Sequence, residues 1–116
     1  LREFLEWDDQ WGDKVADLEA IRDDTGMLPR ALQNRPVLDS IWAYPLKVWR
    51  DLASDRQYIS GGMGAIPGTI PFSVIVLYAQ ISGMSRLDTW DLWQDISIID
   101  SIWLSIASKK RKAQAT

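Results

Sequence analysis

The chain has 116 residues, 47% of them hydrophobic, and a formal net charge of −3. Those figures describe one ordinary globular domain and argue against a general polyanion binder. Seven tryptophans stand beside no cysteine and no histidine, which excludes disulfides, thiolate metal sites and the commonest general base.

Residues 1–24 hold nine acids and three bases. Phe4, Trp7, Trp11, Val15, Leu18 and Ile21 step by three or four, so the spacing predicts one acidic amphipathic helix with Gly26 as its stop. Gly12 lies inside it and weakens its continuity. Residues 25–37 carry Pro29 and Pro36 and read as a connector with one short helical turn at 29–33.

A second helix is predicted over 38–56, capped by Asp39 or Ser40, with Trp42, Leu46, Trp49 and Leu52 on its apolar face. Pro45 requires that it either start near Tyr44 or bend there. Residues 58–69 contain four glycines and a proline and read as a loop, the chain's most mobile part. Pro71 then opens a third helix that leaves little polar surface and stops at Gly83; its VIVL run is alternatively a buried strand. The fourth helix spans 85–108. Ser85 and Asp88 form a capping-box pattern, and Leu87, Trp90, Trp93, Ile96, Ile99, Trp103 and Ile106 make the stripe. Four bases follow at 109–112 in a tail read as solvated and frayed.

The expected fold class is all-α: a single domain over 1–116, built as a compact bundle of about four main helices around the loop at 58–69. It divides into the acidic helix 1–24, a helical core 28–108 and the basic tail 109–116.

Chemistry-bearing motifs are sparse. Gly61, Gly62 and Gly64 lack the Lys and Ser/Thr that a phosphate loop needs after its last glycine, so they read as a connector. Asp8/Asp9 and Asp23/Asp24 are adjacent in sequence, diverge on a helix and lack calcium-loop spacing; they read as a solvated face. No catalytic, cofactor-binding or metal-binding residue is assigned, and neither nucleic acid nor membrane is expected as a partner. The longest apolar run, 70–79, is half a membrane span. Asp100 lies in the most apolar segment and needs a partner if buried; Arg50 and Arg56 are the candidates. Trp7 and Trp11 on the acidic helix, with Met63 in the loop, are assigned to a partner-binding or self-association surface.

Four segments together resemble the tail assembly chaperones of phages and prophages. They are the connector LPRALQNRPVL (28–38) and WAYPLKVWRDLASDRQ (42–57) with its Leu52-x-x-x-Arg56 element. IPFSVIVLYAQISG (70–83), ending Tyr78-Ala-x-x-x-Gly83, and ISIIDSIWL (96–104), carrying Ile96-x-x-x-Asp100, complete the set. The resemblance covers 28–104; the acidic helix, Pro45 and the GAIPGT segment depart from it. It implies a non-enzymatic chaperone that binds the hydrophobic helices of the tape-measure protein and helps tail-tube subunits polymerise around it, in the cytoplasm of an infected or lysogenic host. A chain that starts at Leu1 is compatible with a frameshifted or trimmed product. The alternative is a structural virion component, a connector or tail subunit. In this frame Trp42, Trp49, Leu52, Tyr78, Ile99 and Trp103 form the structural core, joined through the last helix by Trp90 and Trp93.

Overall fold

The computed structural model describes residues 1–62 and 64–115. Met63, assigned above to a partner-binding surface, lies outside them. The chain divides into two compact units, Leu1–Asp39 and Ser40–Thr116. The connector therefore groups with the acidic helix, not with the residues after it.

In the first unit α1 (Arg2–Trp11) is followed by a 3₁₀ turn, Gly12–Lys14, and by α2 (Val15–Thr25). The expected continuous helix is thus broken at Gly12. A 3₁₀ turn rotates about 120° per residue against about 100° for an α-helix, so three such residues swing the following stripe by roughly 60°. The burial follows that rotation. Phe4, Leu5 and Trp7 are buried on α1, whereas α2 buries nothing and leaves Ile21 half exposed. Gly26 ends α2 in the left-handed region at φ 70°, as a glycine stop should. A single turn, α3 (Arg30–Gln33), follows Pro29. The Trp7 indole N–H donates to the Ala31 carbonyl at 2.9 Å, and the Arg35 guanidinium lies 5.0 Å from its ring. Trp7 therefore fastens α1 to α3 and its flank.

The second unit opens with a 3₁₀ turn at Ser40–Trp42 that runs into α4 (Ala43–Leu52). Trp42 stands at the cap position of α4 and brings no side-chain bond, and the helix is entered through that turn. Pro45 is the third residue of α4, in the first turn, where a missing N–H costs nothing. Of the two alternatives, the helix that begins near Tyr44 is the one formed.

The segment expected to be a loop is a β-hairpin. β1 (Tyr58–Gly61) pairs antiparallel with β2 (Gly64–Pro67), Ile59 opposite Ile66 and Gly61 opposite Gly64. The strands are four residues each, too short for an alternating pattern to stand out among four glycines.

α5 (Phe72–Ile81) takes Pro71 as its cap residue; the strand alternative for VIVL is not formed. Gly83 turns the chain at φ 73°. The Met84 N–H closes on the Ala79 carbonyl at 2.9 Å. α6 (Arg86–Ala115) is 30 residues long, about 45 Å. The Ser85 hydroxyl accepts the Asp88 N–H at 3.1 Å, one half of the capping box. The helix continues through Lys109–Lys112, where a frayed tail was expected. Lys, Arg, Ala and Gln are all good helix formers, and cations at a C-terminus complement the helix dipole.

Both α4 and α5 pack on α6. The core between them is Leu46, Val48, Trp49 and Leu52 from α4, Ile75 and Ala79 from α5, and Leu92, Ile96, Ile99 and Ile106 from α6. The fold is predominantly helical. It departs from a strict four-helix all-α bundle in the hairpin and in having, among the described residues, five helices of ten residues or more. No helix among them is long and apolar enough to cross a membrane.

Candidate interaction surface

Inside the second unit one polar knot fixes the elements that carry the surface. Asp100 and Arg56 are both buried and form an ion pair. Asp100 Oδ1 also accepts the Trp49 indole N–H at 3.1 Å, and its Oδ2 accepts the Ile70 N–H at 3.3 Å. Arg56 Nη1 donates to the Gly68 carbonyl at 2.8 Å, and the guanidinium lies 4.2 Å from the Trp103 ring centre. Trp103 in turn meets Trp49 edge-on at 6.2 Å. Among the described residues every buried side-chain nitrogen and oxygen has a partner, which is what keeps a buried pair from being a liability. The knot joins α4, the segment entering α5, and α6 at one point. Of the two arginines named from sequence, Arg56 meets Asp100; Arg50 is exposed.

With α5 held there, its composition forces an apolar surface. Only Ser73, Tyr78 and Gln80 of its ten residues carry a polar group. Ile75 and Ala79 face inward. The large apolar side chains left to water are Phe72 (50% exposed), Leu77 and Ile81 (80%), beside the polar Ser73 and Gln80. The start of α6 adds Leu87 (79%) and Trp90 (51%). Phe72 meets Trp93 edge-on at 5.5 Å, and Trp93 lies 4.9 Å from Trp90. A groove of about 320 Å³ runs between the helices, lined by Phe72, Val76, Gln80, Met84, Arg86, Thr89 and Trp90. It can receive an apolar side chain or helix.

Trp7 and Trp11, assigned from sequence to a binding surface, belong to the first unit. Trp7 is buried at 7% exposure because its N–H needs an acceptor and finds Ala31, so it offers no open surface here. Trp11 is half-buried, with the Lys14 ammonium 5.4 Å from its ring. Of the assigned core, Trp49, Leu52 and Ile99 are buried. Trp42, Tyr78 and Trp103 are half-buried, with the Tyr78 hydroxyl 3.4 Å from that of Tyr44. Trp90, expected to join the core, is the most open tryptophan of the seven. The signal that marks this face in the sequence is the missing polar side of α5. The glycines and the basic run, read separately, come together: Gly62, Gly64, Ala65 and Ile66 share a cavity of about 350 Å³ with Arg111, Lys112 and Gln114.

A family model described as phage tail assembly chaperone matches residues 21–105. The chain belongs to that family. No curated protein and no solved structure matches it. The match takes in the whole of the knot and the α5–α6 face, while α1 lies outside it. In this tail assembly chaperone the exposed surface therefore lies inside the span matched to the family.

Proposed function

We propose that this chain is a non-enzymatic chaperone whose α5–α6 face receives hydrophobic helices of the tape-measure protein, keeps them soluble, and releases them as tail-tube subunits assemble. On this reading it acts in the cytoplasm of the bacterial host. One observation carries the reading: Phe72, Leu77, Ile81, Leu87 and Trp90 are exposed on two adjoining helices, and Phe72 and Trp90 line the groove between them. Burying a fully exposed side chain of this kind against a partner is favourable by about 1.5–3 kcal/mol before ordering costs.

The test is co-expression with a fragment of a tape-measure protein from the same phage or prophage. Wild-type chain raises the soluble fraction of the fragment, and a Leu87→Ala, Trp90→Ala variant that still folds does not. Equal rescue by both chains, or rescue by neither, sinks the reading.

A further inference from the structure

A second groove adjoins the first. It holds about 400 Å³ between the start of α4 and α6 and is lined by Ile41, Tyr44, Pro45, Met84, Leu92 and the carboxylates of Asp88, Asp91 and Asp95. Met84 lines both grooves, so the apolar groove and the acidic one meet at the α5–α6 corner, and the two together are termed the track. Asp88, Asp91 and Asp95 recur at three and four residues, so they form a row along one face of α6.

That row is uncompensated. No Lys or Arg among the described residues forms an ion pair with Asp88, Asp91 or Asp95. Asp95 is partly buried and lies near Asp91, and both circumstances disfavour its charge, with no base to offset them. Arg86 lines the apolar groove, away from the row. Three carboxylates beside an apolar floor are a poor arrangement for the free protein and a good one for a cationic partner.

We propose that the track selects an amphipathic helix whose apolar stripe is bordered on one side by Lys or Arg, the stripe seating against Trp90 and Met84 and the cations meeting Asp88, Asp91 and Asp95. This rests on the client-binding reading above and adds the rule by which one client helix is preferred to another: its charge pattern, not its hydrophobicity alone. Like-charged helices of equal apolar content are rejected by the same row.

The test measures binding of the full chain to two synthetic helical peptides of about twenty residues with identical leucine stripes, one bordered by Lys and one by Glu. The Lys peptide binds about tenfold tighter at low salt, the gap narrows as salt rises, and Asp91→Asn, Asp95→Asn removes most of it. The salt series on the unaltered chain gives the same answer independently of the variant's folding. If both peptides bind alike and Trp90→Ala weakens both, the client face stands and the charge rule falls. If neither binds, both fall. Should the chain instead dimerise by seating its own Lys109–Lys112 segment in the groove, seen as sedimentation that reverts in the double variant, the occupant is a second copy and the proposal is overturned.

Discussion

Arg56 and Asp100 stand forty-four residues apart in sequence and meet as a buried ion pair, with Trp49 and the Ile70 N–H completing the acceptor's partners. Asp100→Ala leaves a buried guanidinium without its counter-charge and two N–H groups without an acceptor. The expected loss is about 3–5 kcal/mol, read from the urea midpoint. A double-mutant cycle with Arg56→Ala returns a coupling of about 0.5–3 kcal/mol. Full additivity of the two losses contradicts the pairing.

Trp90 and Trp49 separate function from stability. Trp90→Ala removes an indole that is half in water and otherwise rests on Trp93, and its stability cost is about 1–2 kcal/mol. Trp49→Ala empties a buried site and costs about 3–5 kcal/mol. Capture of an apolar helix follows the first residue: Trp90→Ala weakens it while lowering the melting temperature far less than Trp49→Ala does.

Asp95 gives a pH signature. Burial, and then Asp91 beside it, raise its carboxyl above the ordinary range. The native chain therefore holds this proton more readily than the unfolded one. The associated stability is present in acid and is lost as pH rises through the raised value. Asp95→Asn removes that loss, so the variant melts higher than the parent near neutral pH. The difference vanishes below about pH 3, where the carboxyl is protonated in both states. A variant less stable at neutral pH contradicts the assignment.

Gly83 sets the corner between α5 and α6. At φ 73° it occupies the left-handed region, and a Cβ there would meet nothing within 4 Å. The cost of Gly83→Ala is thus backbone strain alone, about 1–2 kcal/mol, and Gly83→Asn costs less. Thermal melts of the two variants check the order.

Helical periodicity made α4, α5 and α6 legible, together with the stops at Gly26 and Gly83 and the cap at Ser85. The partner of Asp100 narrowed to two arginines, because a lone acid among Ile99 and Ile102 demands one; choosing Arg56 needed the path of the chain between α4 and α5. The hairpin was hidden because its strands hold too few alternating residues. The break at Gly12 was visible only as a weakness, since a single 3₁₀ turn leaves the same amino acids in the same order and changes only their phase. Tryptophan itself misled. Its size favours burial everywhere, and what sorts Trp7 from Trp90 is an acceptor for one N–H and the absence of a polar side on a neighbouring helix.

The knot also imposes a timetable. At about 5–20 residues per second, a ribosome that has placed Arg56 needs several seconds more to supply Asp100. Until then the guanidinium has no carboxylate, the segment leading to Ile70 has no anchor on α6, and α5 has no helix to cover Ile75 and Ala79. The unit carrying the candidate surface thus gains its shape late and all at once, when the middle of its longest helix emerges.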